Sequence, residues 1–558
     1  MRFPVPFLLL SLLAVPSLRG QAPGAAEVQE HRLPNGARLL VVERPGLPAF
    51  HATLVFRGGR AEEPTALVGA TDLLARALYG HTWPEDVADA GPGGSPLDPL
   101  LGQEEGLLES LRLEGLRRKA DPAAPPQASG LEASLDALRG KIAGLQSSAP
   151  LSDLYARLGG HQSGTAEADA LVADTELPVA DFDLWCRTEA HRLERLQLSR
   201  FFEARRDLIA DLRQRARGQG MALLRGAALP GHPYGRNLAD HVAGLEAIRW
   251  SDLRAYARLA CAPDRLTIIV VGGIGMDAAL PLVTRSLGAL PDPAPTEQPV
   301  LPEIRPDLGD RRIQATLGGA SRLLVGWRIP ARNHADHLAL RMAAQILGGG
   351  RTGRLAAHLI QQKGLATRVE VRMDEPGGRE PGLLTVELWP AEGHSLAELE
   401  EALHAEILRF QQEPLPSDEW QRALAEWDTD HLQAADGPGR LARALGRAWT
   451  ESGDWRSFYS ETQRLKDLTP EAVQAAVQTW LQPSHRTTAL LDPAAQAQDP
   501  LDIEMAQALN LLATRRVADP AQRERLVAEG LRQLRMLPIE ERRRTLKLLL
   551  AQVPPVTK

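Results

Sequence analysis

A helix, a proline, an arginine, a threonine and a strand follow one another twice in this 558-residue chain, and that recurrence constrains its fold more than any other feature. From Ser251 to Gly272 the order is a helix with Ser251 as its N-cap, then Pro263, Arg265 and Thr267, with an apolar strand from Leu266 to Val271. From Thr469 to Pro493 it is again a helix, Pro483, Arg486 and Thr487, then a strand from Thr488 to Leu491. In both copies the threonine stands four residues after the proline. Self-similarity at this distance points to duplicated α+β domains rather than to a solenoid of short repeats. Between the copies, Pro291 to Asp310 holds six prolines, which predicts a linker over 291–311. The division that follows is an N-terminal domain over 28–290, a C-terminal domain over 312–494 and a helical tail, rich in Leu, Arg and Glu, over 500–558.

Local signals fill in the first domain. Asn35-Gly36 between two apolar runs predicts a hairpin whose second strand is Ala37 to Val42. Another strand is expected from Ala49 to Phe56, and Leu67, Ala70, Leu74 and Ala77 give a helical period over 65–80. The stretch 84–150 is rich in Pro, Gly and Ala and carries two amphipathic segments, 99–119 and 130–146, split by Asp121-Pro-Ala-Ala-Pro-Pro126. It reads as an inserted helical hairpin, either a spacer or a partner-binding arm. Residues 181–220 read as a helical region with a charged face over an apolar stripe that includes Leu193, Leu208 and Leu212.

Composition then narrows the function. Lys plus Arg number 64 against 71 Asp plus Glu, a net charge of -7, which argues against a nucleic-acid binder. Two cysteines, Cys186 and Cys261, can form one bridge at most or remain buried thiols, and cannot build a Cys-rich zinc site. Arg2 followed by an apolar run from Phe3 to Val15 is too short for the roughly 20 residues that span a bilayer. It predicts a secretory signal over 1–20 and an exported mature chain, periplasmic or extracellular, with no membrane span.

Dispersed motifs carry a resemblance. Leu33-Pro-Asn-Gly36, Arg57-Gly-Gly-Arg-Ala-Glu62 and the run from Gly69 to Thr82 resemble the opening of the pitrilysin/insulinase metallopeptidases. Gly231-His-Pro-Tyr-Gly235, Leu347-Gly-Gly-Gly-Arg-Thr-Gly-Arg-Leu355 and Gln362-Lys-Gly-Leu-Ala366 resemble later stretches of the family, in the same order. The resemblance spans about 28–494, without the insert and the tail, and looks like one two-domain half of the family, similar to bacterial relatives of the mitochondrial processing peptidase. It implies an α+β fold of two homologous domains, each an antiparallel sheet with helices packed on one face, two such halves closing around a peptide.

The family's zinc chemistry rests on H-x-x-E-H, two histidines one helical turn apart with a glutamate that polarises water. No H-x-x-E-H occurs in this chain. The resemblance places Asp72 at the first histidine, Ala75 at the catalytic glutamate and Arg76 at the second histidine. A guanidinium cannot lose its proton to accept a cation. Asp72 and Arg76 stand at i and i+4, so an ion pair between them, contributing about 0.3–0.5 kcal/mol if exposed, is the expected replacement for the metal. The third ligand position falls on Leu212, and Asp211 beside it is expected to point about 100° away on a helix. The substrate-clamping Arg and Tyr of the second domain fall on Ile360 and Thr367, and the peptide-pairing edge strand on Ser163-Gly-Thr-Ala166.

Other motifs read as structure. His232 is taken as a loop residue, His334 and His337 as a surface helix start, and Gly348-Gly-Gly350 as a helix C-cap, since no Lys-Ser/Thr follows as in a phosphate loop. The expectation is a non-catalytic subunit with no catalytic residue, metal or cofactor of its own. It would pair as a heterodimer with an active zinc peptidase subunit of the same family, or bind polypeptide. The alternatives are an active zinc peptidase with an atypical metal site, and a stand-alone peptide-binding protein.

Overall fold

A computed structural model describes residues 27–493, apart from 83, 88–95, 122–126, 147–148, 216–219, 292–298, 305–308 and 318, together with scattered residues beyond 500. The expected signal segment, 1–20, lies outside the described residues. Residues up to 313 together with 323–489 form one compact unit, and 314–322 with 490–558 form another.

Eleven strands are described: β1 (Val28–Arg32), β2 (Arg38–Glu43), β3 (Ala49–Arg57), β4 (His161–Ala166), β5 (Ala170–Pro178), β6 (Leu266–Gly272), β7 (Arg311–Leu317), β8 (Arg322–Ile329), β9 (Ala366–Glu375), β10 (Gly382–Pro390) and β11 (Arg486–Pro493). They build two sheets, ordered β1-β2-β6-β3-β5-β4 and β7-β11-β8-β10-β9. Without β1, the first sheet repeats the second strand for strand: first, last, second, fourth, third. The duplication read from the proline–threonine pattern is therefore present in the topology. Each last strand follows a helix (Trp250–Ala260 or Pro470–Trp480) and a short 3₁₀ turn at its proline. The recurring threonines, Thr267 and Thr487, are both buried.

The Asn35-Gly36 hairpin pairs β1 with β2 as expected. Among the pairings whose register is described, β2 runs parallel to β6. The N-cap of the helix Trp250–Ala260 is Arg249, not Ser251, and the Asp252 carboxylate accepts from the Arg249 backbone N–H at 3.3 Å. The charged region 181–220 is not one helix. Helices Phe182–Arg195 and Phe201–Arg215 are separated by a break where Leu196 and Leu198 take φ of 46° and 54°. Both leucines are buried, so their packing holds a backbone conformation that leucine seldom adopts. His337 starts a helix as read but is buried rather than on the surface.

Helices Leu97–Ala120 and Ala128–Leu145 form the inserted hairpin, tied across by Arg139 to Glu104 at 2.8 Å. Its base, through Leu97, Leu101, Leu138 and Ile142, belongs to the core of the first sheet, while Leu113 and Leu116 towards its tip are exposed. Cys186 and Cys261 are free and buried, and burial pushes both thiols up to about 12. In the C-terminal unit Met505, Ala508 and Leu546 form a small core of their own, and Ile539–Ala551 is helical.

Both faces of the first sheet are covered. On one, Phe50, Leu54 and Ile268 pack with helix residues such as Phe182 and Trp185. On the other, Val55, Ile269 and Val271 meet Leu441, Ala442 and Leu445 of the helix Pro438–Ser452, which comes from the second half of the chain. A Cβ on Gly446 would stand 2.8 Å from Val55 Cγ2, so glycine lets this helix lie close to the sheet. The two halves are therefore fused through a shared core.

A buried polar node joins them a second time. Asp169, before β5, accepts the Tyr234 hydroxyl at 2.5 Å and the backbone N–H groups of Gly378 and Arg379, on the β9–β10 turn, at 3.1 and 3.2 Å. Arg379 reaches on to Glu62 at 2.6 Å, and Glu62 also accepts from Arg265 at 2.5 Å. His232 has the structural role expected of it: its Nδ1 accepts the Tyr234 N–H at 3.2 Å. Burial pushes the His232 imidazole down to about 4.

Two outcomes follow from this node. Hydrogen bonds to a charged group are worth about 1.5–3 kcal/mol. Asp169→Ala should therefore lower the unfolding free energy by about 3 kcal/mol and Tyr234→Phe by about 1–2 kcal/mol, read from urea midpoints; equal stability of all three chains would refute the node's role. The unfolded chain protonates His232 near its ordinary value of 6.5, whereas the folded chain does so only near 4. Stability attributable to His232 is thus lost as pH falls from 6.5 towards 4. His232→Asn, whose amide oxygen can accept the same N–H, should flatten the stability profile in that window relative to the parent chain.

Candidate functional site

The residues that resemble the zinc motif lie where the chain folds back on its first sheet. Gly58 and Gly59 turn the chain after β3 with φ of 136° and 57°, a conformation open to glycine, and set Arg60 beside the coming helix. The helix Ala70–Ala75 starts on a carboxylate: buried Glu63 accepts the N–H groups of Gly69 at 2.9 Å and Thr71 at 2.7 Å. Burial raises the Glu63 carboxyl above its usual range. Arg76–Gly80 continues as a wider, π-type turn, and the corresponding segment of the second half, Ala356–Gln362, is widened in the same way. Such turns are rare and frequently mark functional sites.

Asp72, Ala75 and Arg76 line one cleft of about 780 Å³, and Leu208, Asp211 and Leu212 of the helix Phe201–Arg215 line it too. The two segments resembling the family's metal site are thus brought together. The expected Asp72–Arg76 ion pair is not formed. Asp72 instead receives both arms of Arg60, Nε and a terminal nitrogen, each at 2.7 Å. Arg76 pairs with Asp211, which correspondingly does not point away: spacings of three and four put 208, 211 and 212 on one helical face, and the arginine is long enough to meet it.

Zinc does not fit this arrangement. A carboxylate already held by a bidentate guanidinium, a methyl group, a second guanidinium and a leucine stand at the positions that resemble the family's ligands and base, and they do not make a zinc site. Among the described residues no group of three or more His, Cys, Asp or Glu is placed to hold a metal ion.

Beside this segment, Ser163, Gly164, Thr165 and Ala166 of β4 line the same cleft, and β4 is the last strand in the order of its sheet. Gly164 is there for space: a Cβ would stand 2.7 Å from Tyr79 Cβ and 2.9 Å from the Ala75 carbonyl. Underneath, Arg192 and Glu189 form a fully buried ion pair, and Arg192 holds the Gln162 side chain at 3.0 Å, which fixes the strand against the helix Phe182–Arg195. His81 also lines the cleft, and burial lowers its basicity. Ile360 and Thr367 do not line it. Ile360 lies on the widened turn of the second half, and Thr367 is exposed on β9, where its hydroxyl donates to the Trp389 carbonyl at 3.4 Å. The cleft also has Arg60, Arg225 and Arg236 in its wall, which sequence reading did not single out. Only Arg60 left a trace, within the Arg57–Glu62 motif.

Comparisons with known proteins agree with this geometry. Residues 248–426 match the family model described as the peptidase M16 inactive domain. No curated protein sequence matches the chain. Among solved structures, the chain resembles a protease from Helicobacter pylori (TM-score 0.66, 14% identity, 84% of this chain and 99% of that one). It also resembles a peptidase M16 inactive domain from Pseudomonas fluorescens (TM-score 0.62, 18% identity, 84% and 98%). The periplasmic protease PqqL from Escherichia coli shares the fold too (TM-score 0.59, 14% identity), and there the match covers 91% of this chain and 50% of that one. The match over 248–426 and the shared two-domain fold agree with the resemblance that the dispersed motifs carry to the pitrilysin/insulinase (M16) proteins, in a chain that contains no H-x-x-E-H.

Proposed function

We propose that this chain is an exported, non-catalytic pitrilysin/insulinase subunit. In this reading its cleft takes up polypeptide, and it completes a chamber with an active zinc-dependent subunit of the same family. The observation that carries the reading is the pair of ion pairs, Arg60–Asp72 and Arg76–Asp211, around Ala75, at positions that resemble the family's metal site. A cleft retained at that place, with an edge strand along one wall, is suited to pairing with an extended chain. The match to half the length of PqqL supports the pairing, since the protein resembles one half of a longer protease, and that protein's periplasmic location supports export. Among the described residues no helix is long and apolar enough to cross a membrane, which is compatible with both. The domain division we propose is 28–290 with its insert 84–150, a linker at 291–311, 312–494 and the tail 500–558.

The purified mature chain should carry no stoichiometric zinc and leave an unstructured peptide intact, with or without chelator. Affinity capture from its native extract should bring down a chain that does contain H-x-x-E-H. Stoichiometric zinc with chelator-sensitive cleavage would overturn the non-catalytic reading, and capture of the chain alone would overturn the pairing.

A further inference from the structure

A second cavity, of about 110 Å³, lies where β3 ends, and no described residue lines both it and the cleft. Its walls are mostly apolar, with Phe56 of β3, Leu171 of β5 and Leu259 of the helix Trp250–Ala260 among them, and the charged groups on it are Arg57, Arg265 and Glu62. Arg265 is satisfied: it donates to the Glu62 carboxylate at 2.5 Å and to the Arg57 backbone carbonyl at 3.3 Å. Arg57 is not. Partly buried, its side chain forms no hydrogen bond or ion pair with the described residues. The charges that act on it are Arg379 and Arg265, of like sign, and Glu62 and Asp169, of opposite sign. Both acids are already taken, Glu62 by Arg265 and Arg379, and Asp169 by the Tyr234 hydroxyl and two backbone N–H groups. Burial, and next the Arg379 guanidinium, lower the basicity of Arg57. A partly buried cation between two like charges, with no counter-ion of its own, is costly until an anion pairs with it.

We infer that this cavity takes a small apolar carboxylate, its oxygens on Arg57 and its aliphatic body against Phe56, Leu171 and Leu259. The paired N–H donors of a guanidinium match both carboxylate oxygens, which favours this anion over a point-charge partner. Size selects the body: a dry cavity of about 150 Å³ accepts benzene, so this smaller one suits a short branched chain. A free branched-chain acid and the C-terminal residue of a peptide ending in Leu or Val present the same chemistry. The inference goes beyond the polypeptide reading of the cleft and does not depend on it.

The test is saturation-transfer NMR on the full mature chain with isovalerate, isopentylamine and acetate, and calorimetric titration with one unstructured peptide ending in Leu, as the free acid and as the amide. Isovalerate should bind at least about tenfold more tightly than isopentylamine or acetate, the factor expected of a hydrogen-bonded charge pair. Arg57→Met, which keeps an aliphatic stem, should abolish the preference for the acid, and Arg57→Lys, which keeps the charge without the paired donors, should retain part of it. Without ligand, Arg57→Met should melt no lower than the parent chain; a lower melting temperature overturns the inference, because the guanidinium would already have a stabilising partner. A free-acid peptide that binds more tightly than its amide, with the difference lost in Arg57→Met, identifies the ligand as a chain end. An isovalerate preference with no difference between the two peptides identifies it as a free acid. No preference for the acid in either comparison overturns the inference, and so does isovalerate binding no more tightly than acetate.

Discussion

The structure depends on covering both faces of one sheet. β6, Leu-Thr-Ile-Ile-Val-Val-Gly, is buried along its whole length, so neither side of it can face water. The helices of the first half cover one side, and the other is covered from the second half, by the helix Pro438–Ser452 with Ala435, Trp455 and Phe458 beside it. Neither half is therefore a finished domain in the energetic sense: removing the second would expose Val55, Ile269 and Val271 together. The Asp169 node adds direction to this apolar contact. It receives three donors, two of them from the β9–β10 turn, and so fixes which part of the second half meets the first.

The cleft follows from the same economy of contacts. At the positions that resemble a zinc motif, this chain holds two pairs of opposite side-chain charges. In both pairs the partners come from different segments, Arg60 with Asp72 and Arg76 with Asp211, so they tie the turn after β3 and the helix Phe201–Arg215 to the helix Ala70–Ala75. Their side chains are partly exposed, and pairs of that kind are worth little to stability, roughly 0–1 kcal/mol each. Their effect is on the chemistry of the cleft: each carboxylate is engaged by a guanidinium from another segment.

Much of the fold was legible in local signals. The Asn35-Gly36 turn, the strand beginning at Ala49, the inserted helical pair and the duplicated proline–threonine unit are all encoded within short stretches, and each is present. What was not legible depends on side chains reaching between distant segments. The partner of Asp72 is set by the backbone at Gly58 and Gly59, which no periodicity reports. The break at Leu196–Leu198 contains neither Gly nor Pro, the usual punctuation, and is imposed by burial of both leucines. The parallel pairing of β2 with β6 joins strands more than 200 residues apart in the chain, a choice made by the tertiary fold and not by either strand. Asp211 meets the cleft although it stands one residue from Leu212, because the Arg76 side chain is long enough to span the offset between neighbouring helical positions.

Glu63 deserves a final consequence. By accepting the first N–H groups of the helix Ala70–Ala75, it holds in place the segment on which the family's metal ligands would be carried. The framework of the site is thus anchored independently of whatever stands at 72, 75 and 76. Side chains at these three positions can therefore differ in charge and size while the start of the helix keeps its hydrogen bonds to Glu63.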